Sequence, residues 1–108
     1  MRKKIHSYLG LARRAGKLLI GQGTCSEAME KKKLALLFMT GDVAENTQKK
    51  LRKTAEKTGT PCVVYGTSEE LSKVAGAQGS AVYGITDENF AKAILTETEK
   101  ANIDKEVF

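Results

Sequence analysis

The apolar residues near the start of the chain recur at helical spacing. From Ile5 to Ala12 they fall at positions i, i+3, i+4 and i+7, which predicts one face of a helix. We expect Gly16 to end that helix, because glycine readily adopts the left-handed backbone of a helix C-terminus. Residues 18–20 are then consecutively apolar and predict a short strand.

Two capping-box patterns mark the starts of further helices. Thr24 and Glu27 have the spacing of such a box, so we expect a turn at residues 21–23 and a second helix that begins at Thr24. Thr67 and Glu70 repeat the spacing later in the chain and predict a short helix there.

The longest apolar run lies between these two boxes. Residues 34–39 are too few for a free-standing helix and do not alternate, which predicts a central strand covered on both faces. A third helix is expected over residues 44–58, with Gly59 at its end. Pro61 then precedes a strand at residues 62–65, since a residue without an N–H is tolerated where a strand begins.

The last part of the chain predicts one more strand and one more helix. Residues 76–80 have little side-chain bulk and predict a loop, which leads into a strand at residues 81–85. Asp87 has the position of a cap for a last helix, whose apolar pattern continues to Leu95. Residues 96–108 are more polar and are expected to form the end of that helix and a tail.

The alternation of helices and strands predicts the α/β class, as a three-layer α/β/α sandwich around four strands. Strands joined by crossover helices pair mostly in parallel and need helices on both faces. A chain of 108 residues has room for one packed core. We therefore expect a single domain over residues 1–95.

Composition excludes several classes of protein. No apolar run approaches the ~18 residues of a membrane-spanning helix, and arginines interrupt the N-terminal segment before the core of a signal peptide develops. Cys25 and Cys62 are too far apart for a CxxC motif and predict two free thiols in a reducing compartment. We expect a cytoplasmic protein that contacts no membrane.

Basic residues are concentrated in the first half of the chain. The formal charge is +5, but residues 1–57 contain 14 Lys and Arg against 5 Asp and Glu, whereas residues 58–108 contain 4 against 8. A nucleic-acid backbone would relieve the resulting repulsion by counterion release. Three clusters are the expected phosphate-binding side chains: Arg13, Arg14 and Lys17; Lys31, Lys32 and Lys33; and Lys49, Lys50 and Lys53.

Residues suited to catalysis or metal binding are scarce. The single histidine, His6, has no nucleophile or carboxylate at motif spacing, and we expect it on the surface. One histidine and two separate cysteines do not predict a metal site. Residues 21–24 lack the third glycine of a dinucleotide fingerprint and the lysine of a P-loop. We therefore expect no enzymatic activity, no metal and no cofactor.

Four short segments match the pattern of a known family. They are Arg14-Ala15-Gly16-Lys17-Leu18, Gly21 at the opening of a helix that contains Ala28, the buried strand that leads into Gly41-Asp42, and the loop at residues 76–80. Together they resemble the L7Ae and L30e family of ribosomal proteins, in particular its small stand-alone bacterial members. The resemblance extends from Tyr8 to Leu95 and implies an L30e-like sandwich with a four-stranded mixed sheet.

The resemblance also implies RNA binding, typically to kink-turns, through residues 21–27, 41–44 and 76–80. In the family's signature, Gly-x-Asn-Glu-x-x-Lys, the last three named residues read the sheared G·A pairs and the backbone of the kink. This chain keeps the first glycine, Gly21, and has Gly23, Thr24 and Glu27 at the other positions. A Lys to Glu change replaces attraction by repulsion, so we expect weaker or altered kink-turn selectivity.

The sequence thus predicts a non-enzymatic, monomeric RNA-binding protein of the ribosome or its assembly, with structured RNA and ribosomal proteins as partners. An alternative is a protein-interaction module on the same fold, whose acidic residues, such as Glu69 and Glu88, meet a basic partner. The expected RNA-binding residues are Arg13, Arg14, Lys17, Gly21, Gly23, Thr24, Glu27, Lys31, Lys32, Lys33, Asp42, Lys49, Lys50, Lys53 and Gln78.

Overall fold

Helices and strands alternate along the chain as the apolar pattern predicts. The structure, a computed structural model, describes residues 2–76, 79–101 and 105–106. Within them the elements are α1 (Arg2–Arg14), β1 (Leu18–Ile20), α2 (Gln22–Glu30), β2 (Leu36–Met39), α3 (Glu45–Thr58), β3 (Cys62–Val64), α4 (Ser68–Ala75), β4 (Val82–Ile85), α5 (Glu88–Lys100) and β5 (Lys105–Glu106).

The strands form one mixed sheet in the order β1-β4-β2-β3-β5. Only β2 and β3 pair in parallel, while β4 lies antiparallel between β1 and β2. The expectation of mostly parallel pairing is therefore wrong, and the mixed sheet implied by the family resemblance is confirmed. β4 begins beside the end of β2, where Thr40 N donates to Ala81 O at 2.9 Å.

Helices cover both faces of the sheet, which confirms the three-layer sandwich. On one face α1, α4 and α5 enclose a core that contains Phe38 and Tyr83. On the other face α2 and α3 enclose a second core that contains Leu37 and Met39. Consecutive residues of β2 thus point to opposite faces, and all four of its side chains are buried.

Several local predictions for the second half of the chain are confirmed. The Thr67 hydroxyl accepts a hydrogen bond from Glu70 N, and the Asp87 carboxylate accepts from Asn89 N and Phe90 N. The last helix continues well past Leu95, and β5 adds a short antiparallel strand beside β3 in the segment expected to be a tail.

The structure also decides the environments of the histidine and the cysteines. His6 is half-buried, with Nε2 3.0 Å from the Tyr65 hydroxyl, so the expected surface position is wrong. Cys25 and Cys62 are free, as predicted, and burial raises the pKa of their thiols to about 12 and about 11. No helix in the described part of the chain is long and apolar enough to cross a membrane.

Candidate nucleic-acid interface

The three segments to which the family resemblance assigns RNA contacts meet at one edge of the sheet. Strands β1, β2 and β3 run in the same direction, and β4 begins where they end; we call this side the carboxyl edge. Backbone hydrogen bonds hold the first two segments there: Gly21 N donates to Val82 O of β4 at 2.9 Å, and Gly41 N donates to Gly66 O, between β3 and α4, at 2.7 Å. Gln78, in the third segment, lies outside the described residues.

Gly21 turns the chain from β1 directly into α2. Its φ of 105° lies in the region that favours glycine, and its carbonyl accepts the first backbone bond of the helix from Cys25 N at 3.1 Å. The helix therefore begins at Gln22, and the predicted capping box at Thr24 is wrong, since Gly21 is the N-cap without a side-chain bond. The first N–H groups of α2 have no intrahelical partner and lie at the carboxyl edge.

The signature positions on α2 are accessible. Gly23 and Thr24 are exposed, and a Cβ placed on Gly23 would have no neighbour within 4 Å. Glu27 accepts a hydrogen bond from Lys31 Nζ at 2.7 Å, and this bond lowers the pKa of the Glu27 carboxyl below its usual value. The negative charge of Glu27 thus has a cation one turn away.

Asp42 joins the second segment to the start of α4. Its Oδ1 accepts from the Thr40 hydroxyl at 2.5 Å and from Ser68 N at 3.0 Å, and its Oδ2 accepts from the Ser68 hydroxyl at 2.8 Å. The hydrogen bond from Thr40, followed by that from Ser68, holds the pKa of Asp42 below its usual value. The sequence predicted an RNA contact for Asp42. In the structure its hydrogen bonds hold the loop after β2 against the start of α4. The sequence pattern did not indicate its partners, Thr40 and Ser68.

The third segment contacts the first basic cluster. Gly76 ends α4 with a φ of 69°, and a Cβ placed on it would overlap the guanidinium of Arg13. Arg13 therefore lies against the beginning of the loop at residues 76–80. A close approach of α1 and α4, visible only in the folded chain, creates this neighbourhood.

The lysines of α3 extend from the carboxyl edge along the outer side of the α2 and α3 layer. α3 begins three residues after Asp42 and buries Leu51 and Ala55. Lys49, Lys50 and Lys53 are exposed. Lys49 pairs with Glu45 at 3.4 Å, whereas no ion pair among the described residues includes Lys50 or Lys53.

The remaining basic residues lie at the opposite side of the sheet. We call it the amino edge, because β1, β2 and β3 begin there. Arg14 ends α1, and Lys17 immediately precedes β1. Lys31, Lys32 and Lys33 follow α2, which runs back from the carboxyl edge. The structure thus spreads the predicted phosphate-binding residues from one edge to the other. Lys31 and Lys33 line one groove with Gly23, Thr24 and Glu27 of α2.

Comparisons with known proteins agree with this fold. The family described as ribosomal protein L7Ae/L30e/S12e/Gadd45 matches residues 3–95. A protein of Enterococcus faecium named "RNA-binding protein YlxQ" is 33% identical over 91 residues, which cover 84% of this chain and 87% of that one. A Bacillus halodurans protein described as of unknown function is similar with a TM-score of 0.86 and 28% identity, over 89% of this chain and 97% of that chain.

A more distant solved structure shares the fold alone. It is a Giardia lamblia protein described as a "15.5kD RNA binding protein", with a TM-score of 0.77 and 16% sequence identity. The alignment covers 92% of this chain and 88% of that chain.

Proposed function

The chain belongs to the ribosomal protein L7Ae/L30e/S12e/Gadd45 family, and from that premise we propose that it is a non-enzymatic RNA-binding protein whose main contact surface is the carboxyl edge. The proposal rests on one observation: residues 21–27, the Asp42 loop and the loop after α4 lie together at the carboxyl edge. The name of the E. faecium relative supports RNA as the ligand.

The carboxyl edge offers two kinds of contact to a phosphate backbone. The first N–H groups of α2 present partial positive charge, and anions are favoured at such a helix terminus. Gly21 and Gly23 carry no side chains that would hold a ligand away from this backbone. Lys50 and Lys53 add flexible cations along the neighbouring helix, and each would bind a phosphate without reading its base.

The aromatic residues favour structured RNA over single strands. Proteins that bind single strands stack bases on exposed aromatic rings. Here Phe38, Tyr65 and Tyr83 are buried, and Tyr8 and Phe90 are partly buried against the same core. With these rings committed to packing, the carboxyl edge is suited to the shape of a folded RNA backbone.

The proposed target is a bent or kink-turn-like RNA of the ribosome or of its assembly intermediates. Gly23, Thr24 and Glu27 remove three polar contacts that the family signature makes, and each base contact of this kind contributes about 1–3 kcal/mol of discrimination. The protein would therefore bind such RNA with less selectivity for the kink itself. The ion pair between Lys31 and Glu27 reduces, without removing, the repulsion at the signature lysine position.

Fluorescence anisotropy with labelled RNAs tests the proposal. We expect a kink-turn RNA and a plain duplex to bind more tightly than a single strand of equal length, with affinity that falls steeply between about 50 and 200 mM salt. Lys50→Glu should weaken binding severalfold, while Lys92→Glu, the same charge change on exposed α5, serves as the matched control. No binding of structured RNA at low salt would refute the proposal.

A further inference from the structure

Arg14, Lys17, Lys32 and Lys33 form a second basic group at the amino edge, where β1, β2 and β3 begin. Thr86 N donates to Lys17 O at 3.0 Å, and Ala35 N donates to Ile85 O at 2.7 Å. The backbones of Lys17 and Ala35 therefore flank the end of β4, separated by about two strand spacings, or ~10 Å. Lys33 precedes Ala35 by two residues, so its side chain and that of Lys17 emerge from neighbouring parts of one surface.

Three carboxylates near this group have partners of their own, and a fourth, Glu88, is exposed and lines a pocket with Leu34 and Ala35. Glu27 pairs with Lys31 at 2.7 Å, and Glu30 pairs with Lys57 at 3.5 Å. Asp87, two residues after β4, accepts the two capping bonds of α5. In the described part of the chain no ion pair includes Arg14, Lys17, Lys32 or Lys33, and all four are exposed. The four cations therefore outnumber the nearby carboxylates of Asp87 and Glu88, and the group keeps a net positive charge.

The backbone of Lys32 gives an independent reason to look for a ligand. Its φ of 56° is the only positive φ of a non-glycine residue among the described ranges. Glycine or asparagine is usual at this position after a helix, because a Cβ is disfavoured in left-handed backbone. The bonds from Lys32 N to Met29 O and from Lys33 N to Ala28 O hold this turn in place. Lysine at position 32 is thus unfavourable for the turn and adds to the repulsion between consecutive lysines.

We propose that this group, which we name the amino-edge surface, binds the phosphate backbone of an RNA duplex as a second contact surface. It adjoins the carboxyl edge along the groove that Lys33 lines with Gly23 and Thr24. The inference rests on the proposed RNA-binding function and extends it to another part of the molecule. The ligand class follows from the chemistry: three lysines and one arginine supply donors and charge, and no aromatic or apolar residue among them supplies a site for bases or for lipid chains. The surface therefore has no means of reading sequence.

Duplex binding by two matched double variants tests the amino-edge surface. A plain, blunt RNA duplex is titrated with wild type, with Lys17→Glu/Lys33→Glu, and with the control Lys4→Glu/Lys100→Glu, which makes the same charge change at exposed positions of α1 and α5. We expect the amino-edge variant to lose about tenfold or more in affinity and its plot of log K against log salt to become shallower by about 2, since each phosphate contact contributes a slope near 0.9. The control should stay close to wild type.

The outcomes separate this inference from the proposed function. If wild type binds kink-turn and duplex RNA, but the amino-edge variant matches it in affinity and salt slope, the amino-edge surface is refuted and the carboxyl edge remains. An equal loss in the control variant would show a general charge effect and would also refute the inference. Displacement of the duplex by poly-glutamate at equal charge concentration would identify an acidic polypeptide as the ligand instead. Absence of any RNA binding by wild type would refute both proposals.

Lys32→Gly provides a second test that does not depend on charge reversal. Glycine suits a φ of 56°, so this variant should fold with an unchanged or higher melting temperature. Its affinity for the duplex should nevertheless fall by about threefold, because one phosphate contact is lost. A Lys32→Gly protein that is more stable and binds the duplex as tightly as wild type would contradict a ligand-binding role for Lys32.

Discussion

The carboxylate of Asp42 accepts hydrogen bonds from both the backbone N–H and the hydroxyl of Ser68, which lies 26 residues later in the sequence. The distances are 3.0 Å to Ser68 N and 2.8 Å to Ser68 Oγ. Thr40, at the end of β2, donates a third hydrogen bond to the same carboxylate. One ionised side chain therefore connects the loop after β2 with the start of α4, two elements of the carboxyl edge.

Asp42→Asn should lower both the melting temperature and the affinity for RNA. The asparagine amide would present N–H groups where Thr40 or Ser68 also presents a donor, so at least one bond is lost. Thermal unfolding followed by circular dichroism measures the first effect and fluorescence anisotropy the second. Ser68→Ala is the matched control: it removes the hydroxyl bond and keeps the backbone bond, so its effects should be smaller. Equal behaviour of Asp42→Asn and wild type in both measurements would contradict the positioning role.

The contribution of Asp42 to stability should depend on pH. Hydrogen bonds from Thr40 and then Ser68 lower the pKa of Asp42 in the folded protein below its usual value. The unfolded chain therefore takes up its proton first as pH falls, so the stabilisation is present above pH ~4 and is lost as pH falls through the folded-state pKa. Melting temperatures of wild type and Asp42→Asn, measured from about pH 7 down to about pH 2, should converge at the acidic end. A constant difference across that range would contradict this assignment.

Restoring the family signature on α2 should increase selectivity for kink-turn RNA. The variant Gly23→Asn/Thr24→Glu/Glu27→Lys places the missing polar groups on exposed positions of the first two turns, and Gly23 has open space for a side chain. We expect the ratio of affinities, for a kink-turn RNA relative to the same RNA with its G·A pairs replaced, to rise by at least about fivefold. That factor corresponds to one restored base contact. Glu27→Gln, which removes the negative charge and adds no contact, should gain less. An unchanged preference in the triple variant would contradict the assignment of these positions to RNA.

Gly21 and Gly23 should respond to alanine in opposite ways. Gly21 has a φ of 105°, so alanine there is strained, and we expect a loss of about 1–3 kcal/mol in the free energy of unfolding. Gly23 is helical and has no neighbour within 4 Å of a Cβ, so alanine should stabilise by about 0.4–1 kcal/mol. Urea denaturation measures both. A Gly21→Ala protein as stable as wild type would show that the turn between β1 and α2 does not need glycine.

Local sequence patterns predicted the features that neighbouring residues control. The caps at Thr67 and Asp87 occur as predicted, because the side chain and the N–H groups it satisfies lie within three residues. The same pattern at Thr24 predicted the wrong helix start. There the backbone of Gly21 is fixed by a long-range hydrogen bond to Val82 O, and a positive φ lets the helix begin two residues earlier.

The sequence by itself determined the α/β class, the elements, the buried central strand and the concentration of positive charge in the first half, since apolar periodicity and charge are properties of the chain. Only the tertiary structure decided that β4 runs antiparallel between β1 and β2 and that Lys31 and Lys33 lie in one groove with Gly23 and Thr24. Those features depend on which strands pair and in which direction, and pairing brings together residues as distant as Lys17 and Thr86. No local pattern specifies such contacts, because their free energy is gained only when the whole sheet has formed.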